Sequence, residues 1–219
     1  MVNKTMLTII RKSSLTLAFF AFLSTGLVVI TQYLTKHPIE QRVKEELLST
    51  LNQIIPSELY DNNLYDSCTF VMDPLLGTND MVPAYLATLK GQPTALTIEA
   101  VAPDGYNGKI NIIVAVKVDG TITGIRVLSH QETPGLGDKI DLHVTNWILN
   151  FTGKKVNKAN LWSWKIGKGN KIHFDEVVGA TITSRAVIKA VKNAALYLDQ
   201  NKENLFNQPF NCGGSYGIS

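Results

Sequence analysis

The stretch Lys109-Ile-Asn-Ile-Ile-Val-Ala-Val-Lys-Val-Asp119-Gly120-Thr121-Ile-Thr-Gly-Ile-Arg-Val-Leu128 decides the fold class. Two runs rich in β-branched residues flank an Asp-Gly pair, and such a pair favours a tight hairpin because glycine reaches positive φ at little cost. Residues 112–116 are apolar at every position, so this strand is covered on both faces and belongs near the middle of a sheet. Upstream, residues 84–89 and 95–101 carry the same pattern. Together with 109–118 and 121–128 they predict four antiparallel strands. Downstream of Thr181, apolar residues recur at steps of three and four: Ala186, Val187, Ala190, Val191, Ala194 and Leu198. That spacing is one face of an amphipathic helix. Residues 139–149 read as a further helix with Ile140, Val144, Trp147 and Ile148 inward. Helices beside an antiparallel sheet make an α+β domain. Residues 61–80 and most of 151–170 read as loop, with a short strand near 162–166, and the tail from residue 201 reads as poorly structured.

Residues 13–35 carry no charge, and 23 residues in a row at about 1.5 Å each cross a hydrocarbon core of about 30 Å. The apolar run is longer than a signal-peptide core, and no small-residue cleavage pattern closes it. An uncleaved anchor is therefore expected over a cleaved signal. Pro38 is expected to open a second helix with Ile39, Val43, Leu47, Leu51 and Ile54 or Ile55 on one side, ended by Pro56. The expected division is 1–12, a membrane span at 13–35, a linker helix and loop at 36–80, a folded domain at 81–200 and a tail at 201–219. Lys4, Arg11 and Lys12 before the span are matched by Lys36, Arg42 and Lys44 after it, so charge alone does not orient it.

Composition removes several classes of function. The formal charge is only +3 and its Lys and Arg are scattered without interleaved aromatics, which excludes a nucleic-acid stripe. His37, His130, His143 and His173 form no pair at helical spacing, and two cysteines 144 positions apart suit no zinc site, so no metal centre is expected. Cys68 and Cys212 read either as a disulfide or as two buried thiols. There is no Gly-x-Ser-x-Gly elbow. Gly135-Leu-Gly137 lacks the third glycine and the crossover of a dinucleotide fingerprint, and the Gly167 to Lys171 run lacks phosphate-loop spacing. His130 beside Glu132 reads either as an acid–base pair or as a strand-end histidine.

The run Asp175-Glu-Val-Val-Gly179-Ala180-Thr181-Ile-Thr183-Ser184 opens the last helix. Unpaired N–H groups and the positive end of the helix dipole collect at such a start, which favours a phosphate near Thr181. An ordinary threonine cap after a glycine turn fits the same residues.

This run resembles the flavinylation motif Asp-x-x-Ser/Thr-Gly-Ala-Thr of the FMN-binding domain family, found in the RnfG proteins of the Rnf ion-translocating oxidoreductase complex and in the NqrC proteins of the sodium-pumping NADH:quinone reductase. Two further blocks resemble RnfG in the same order, Ala102-Pro103-Asp104-Gly105-Tyr106 and His130-Gln-Glu132-Thr133-Pro134-Gly135-Leu136-Gly137-Asp138-Lys139-Ile140. Val178 departs from the motif, which has Ser or Thr there. The resemblance implies FMN joined through its phosphate to Thr181 Oγ. Gly179, Ala180, Thr183 and Ser184 would lie beside it, and Glu132, Thr133, Gly135, Leu136, Gly137 and Lys139 would line the flavin. Asp175 would be recognised by a flavin transferase, or would serve only as a helix-entry acid. Trp147, Trp162 and Trp164 would pack on the ring or in the core. No base is evident beside Thr181, so the resemblance implies that a separate periplasmic transferase makes the bond from FAD. It further implies a single-pass protein of the bacterial inner membrane, with residues 1–12 cytoplasmic and the flavin domain periplasmic. Its partners would be the other membrane subunits of an Rnf-type complex, which couples electron transfer to ion translocation. The other readings are an NqrC protein of the sodium-pumping reductase and a membrane-anchored binding or scaffold module without flavin.

Overall fold

The computed structural model describes residues 4–156, 164–166, 172–174 and 176–212. It forms two compact units, Met1–Glu46 and Leu47–Ser219.

The first unit is most of helix α1 (Lys4–Ile54). The most apolar 18-residue window of this helix has a mean hydropathy of 2.0 and none of it is buried, so the helix is long and apolar enough to cross a membrane. Its hydroxyls bond back to the helix: Ser24 donates to the Phe20 carbonyl at 2.9 Å, Thr31 to Leu27 at 2.8 Å and Thr35 to Thr31 at 2.8 Å. Satisfying hydroxyls this way suits a helix in hydrocarbon, where no water is available. Pro38 lies inside α1 instead of opening a second helix. Proline removes one backbone bond and crowds the carbonyl four residues back, at a cost of about 3 kcal/mol. The long apolar run before it and the amphipathic run after it are both helical, and the helix carries through.

The second unit is built on a five-stranded antiparallel sheet, β1 (Cys68–Val71), β2 (Val82–Leu89), β3 (Gln92–Ala102), β4 (Ile110–Lys117) and β5 (Ile122–Ser129), paired in chain order. The four strands expected from sequence are β2 to β5. Gly120 makes the β4–β5 turn at φ +85°. Alternation along β4 divides the core in two. Ile112, Val114 and Val116 share a cluster with Val187, Val191, Ala194 and Leu198 of helix α2 (Thr181–Asn207). Ile113 and Ala115 share the opposite cluster with Leu51, Ile54 and Ile55 at the end of α1. That double cover is why every residue from Ile112 to Val116 is apolar. The end of α1 comes so close to β5 that a Cβ on Gly124 would lie 2.9 Å from Ile54 Cα.

Three expectations need correction. Residues 61–80 are not all loop, because they contain β1 and a 3₁₀ turn at Pro74–Leu76. Residues 139–149 do not form an α-helix; two 3₁₀ segments, Gly137–Ile140 and Asn146–Phe151, stand there instead. Asp141 Oδ1 accepts from the His143 amide at 2.9 Å, and Thr145 Oγ1 donates to the Lys139 carbonyl at 2.6 Å. These side chains divert backbone groups that an α-helix would need. Val144 is consequently exposed, while Ile140 and Ile148 are buried. The third correction concerns the tail: α2 runs on to Asn207, because buried Leu205 continues the apolar stripe. Beyond it the Asn211 amide donates to the Cys68 carbonyl at 3.0 Å, and Cys212 is bonded to Cys68 with a Cα–Cα distance of 5.6 Å. A short parallel pair, β6 (Trp164–Ile166) and β7 (Ile172–Phe174), completes the described strands.

Candidate cofactor cleft

Three chain segments meet at one end of the sheet, and their small residues are what bring them together. Beyond β3, a Cβ on Gly105 would lie 2.9 Å from Glu132 Oε1. In the segment after β5, the Thr133 carbonyl accepts from the amides of Leu136 at 3.1 Å and Gly137 at 3.0 Å, curling the chain into a tight turn. A Cβ on Gly137 would lie 2.7 Å from Glu132 Oε2, so only glycine allows the turn to close on that carboxylate. The third segment is the turn into α2. Here Gly179 takes φ +83°, and a Cβ on it would be 3.0 Å from Leu136 Cδ2.

Glu132 stands at the meeting point, 5% exposed. Its carboxylate accepts from the Thr183 hydroxyl at 2.7 Å and from the Asn107 amide at 3.1 Å. An ion pair between Asp104 and Lys189 of α2 adds a second tie between the first segment and the helix. The three segments enclose a cleft of about 580 Å³ lined by Glu132, Thr133, Leu136, Gly137 and the run from Gly179 to Thr183, with Tyr106 on its rim.

Helix α2 opens into this cleft with Ala180 at its N-cap and no side-chain cap. Its first backbone N–H groups have no acceptor within the helix, and the positive end of its dipole points the same way. Thr181 lies on the wall, half-buried, and its hydroxyl donates to Glu176 Oε2 at 3.0 Å. Glu176 Oε1 in turn accepts from Arg185 at 3.0 Å. The Arg185 guanidinium and the Thr181 hydroxyl together hold the Glu176 carboxyl below the usual carboxylate range.

Of the residues singled out from sequence, Glu132, Thr133, Leu136, Gly137, Gly179, Ala180, Thr181 and Thr183 come together in the cleft. Gly135, Lys139 and Ser184 stand outside its lining. Gly135 turns the chain at φ +77°, Lys139 lies in the following 3₁₀ segment, and buried Ser184 donates to the Ala180 carbonyl at 3.0 Å. Asp175 and Trp162 lie outside the described residues. Trp147 and Trp164 join an aromatic cluster with Phe151 and Phe174, away from the cleft lining. Among the described residues no three His, Cys, Asp or Glu side chains converge as a metal site would. Sequence reasoning missed Tyr106 and Ile182 as lining residues and Glu176 as the partner of Thr181. Tyr106 and Glu176 each sit within a block that carries the family resemblance, but their roles depend on how the turns fold.

The cleft fits a flavin nucleotide on its own features. Its volume lies within the range of about 300–1,000 Å³ common to cofactor pockets. Gly137 and Gly179 keep side chains out of it, and an uncapped helix start provides for a phosphate.

Comparison with known proteins gives the same answer. Residues 105–196 match the FMN-binding domain, and residues 6–54 match the RnfG N-terminal region. The chain is 57% identical to the RnfG protein of the ion-translocating oxidoreductase complex of Vibrio atlanticus, over 95% of this chain and 100% of that protein. It is 56% identical to the protein of the same name in Vibrio vulnificus, over 96% of this chain and 100% of that one. Among solved structures, Shewanella oneidensis NqrC is 22% identical with a TM-score of 0.45, covering 70% of this chain and 73% of that one.

Proposed function

The chain belongs to the RnfG family of ion-translocating oxidoreductase complex subunits, and from that premise we propose that it is a membrane-anchored flavoprotein carrying electrons on FMN. The FMN is esterified through its phosphate to Thr181 Oγ. One observation carries the attachment: Thr181 stands on the wall of the cleft at the uncapped first turn of α2. A phosphodiester there meets the free helix amides and the dipole's positive end. Thr183 is the competing hydroxyl, but it is 1% exposed and already donates to Glu132.

Once attached, the isoalloxazine supplies reversible electron transfer, and the protein supplies its position and surroundings. Glu132, Thr133, Leu136 and Gly137 form the wall that receives it. The α1 span anchors the chain in the bacterial inner membrane, the cleft lies on the periplasmic side, and the other membrane subunits of the complex exchange electrons with it. A separate periplasmic flavin transferase makes the bond from FAD, with Asp175 part of what it recognises. Val178 is 86% exposed at the turn, so the hydroxyl it lacks affects what that enzyme reads from outside and not how the cleft is built.

The test is expression with the transferase and export to the periplasm, followed by peptide mass spectrometry. Thr181→Ala is expected to abolish in-gel flavin fluorescence in a folded, inserted protein, whereas Thr183→Ala keeps the bond. An adduct on Thr183, or none on the wild-type chain, would overturn the assignment.

A further inference from the structure

The hydrogen-bonded row Thr181–Glu176–Arg185 has a use that a structural tie does not need. An alcohol is a poor nucleophile at neutral pH, and the hydroxyl that attacks a phosphoryl group has to lose its proton during the transfer. Glu176 Oε2 is 3.0 Å from Thr181 Oγ1, within the reach of about 2.6–3.2 Å that a proton acceptor requires. The Glu176 and Arg185 side chains are 34% and 63% exposed, so a modifying enzyme reaches both. Arg185 is the charged group that acts on Glu176, and it keeps the carboxylate ionised and therefore ready to accept. A strong base is not needed. In phosphoryl transfer the bond to the leaving group is largely broken before the new one forms, so the proton leaves late, and an aspartate does this work in protein kinases.

We propose that Glu176 accepts the Thr181 hydroxyl proton as the flavin phosphate arrives, so that the acceptor chain supplies the base for its own modification. This rests on Thr181 being the attachment site. The bond between Thr181 Oγ and the flavin-bearing phosphorus forms while the phosphoanhydride bond of FAD breaks. AMP leaves with the bonding electron pair on its oxygen, the proton passes from Oγ to Glu176 Oε2 and then to water, and nothing is oxidised or reduced. In the product, Thr181 Oγ has no hydrogen left to donate, so its bond to Glu176 ends with the reaction. Glu176 is then left paired to Arg185, the cation that also offsets the new anionic ester.

The experiment uses the full-length, unmodified chain in detergent with a purified flavin transferase, FAD and magnesium. The Thr181 adduct is followed by peptide mass spectrometry across a range of pH. Glu176→Gln is expected to lower kcat by about 100-fold, the lower end of general-base effects, with little change in KM for the acceptor chain. In the wild type the rate falls on the acid side as Glu176 protonates. Arg185→Gln removes the cation that holds the carboxyl low, so this fall is expected to move to higher pH; in Glu176→Gln it disappears. A Glu176→Gln chain modified at the wild-type rate, or changed in KM alone, overturns the proposal, as does an acid limb that stays in place in Arg185→Gln. If Glu176→Gln melts below the wild type, the shift in Arg185→Gln decides by itself. A wild-type chain with no adduct at Thr181 sinks the attachment site and this proposal together. A wild-type adduct with an unaffected Glu176→Gln rate sinks only the role of Glu176.

Discussion

Glu132 illustrates how much of the cleft depends on one side chain. Its two oxygens take up the Thr183 hydroxyl and the Asn107 amide, and Gly105 and Gly137 are small because the carboxylate stands against them. Thr183→Val leaves the shape of that side chain nearly intact but removes the donor at 2.7 Å from a buried carboxylate. Loss of a partner to a buried polar group costs about 1–3 kcal/mol. Urea unfolding of the variant is expected to show that loss, while mass spectrometry still finds flavin on Thr181. Gly137→Ala acts on the same carboxylate from the other side. Its methyl would lie 2.8 Å from Glu132 Cβ, which has no room to move away, and overpacking of this kind costs about 1–3 kcal/mol. The expected result is a lower unfolding midpoint, with flavin fluorescence reduced in proportion to the folded fraction.

At the scale of elements, the contact between β5 and the end of α1 is set by the missing side chain of Gly124. A Cβ there would be 2.9 Å from both Cα and Cβ of Ile54, and a backbone atom cannot rotate aside. Gly124→Val is therefore expected to separate α1 from the sheet and destabilise the unit by at least about 1–3 kcal/mol, measured by thermal unfolding in detergent. Elements governed by local pattern were legible in the sequence: β2 to β5, the Asp119–Gly120 hairpin and the apolar face of α2. The rest depended on distant partners. Strand β1 is only four residues long, and Cys68-Thr-Phe-Val becomes a strand because β2 pairs with one edge and the tail at Asn211 with the other. The residues after Gly137 have helical spacing, but Asp141 and Thr145 capture the backbone groups first. Most of the cleft lining was legible as separate blocks, whereas the Glu176–Thr181 bond needed the left-handed turn at Gly179 to bring residues five apart together.

For the whole molecule, the bond between Cys68 and Cys212 joins the first strand to the end of the described chain across 144 residues. Closing so long a loop restricts the unfolded chain by up to about 5 kcal/mol in the chain-entropy account. Urea unfolding with and without reductant, or of Cys212→Ser, is expected to show a stabilisation of that order or smaller. An oxidised pair also agrees with the proposed periplasmic position of the second unit. External protease added to spheroplasts is expected to digest that unit, and protection would place it in the cytoplasm. The order of the strands bears on the protein's biogenesis. Consecutive pairing lets the sheet assemble while synthesis and export are still under way, but the helix covering one of its faces is the last to arrive. Until α2 emerges, Ile98, Ile112 and Val114 stand bare, and a chain stopped early exposes them to aggregation and proteolysis. The threonine proposed as acceptor begins that last helix, so the flavin can be added only after the layer is complete, and the yellow colour then marks finished chains.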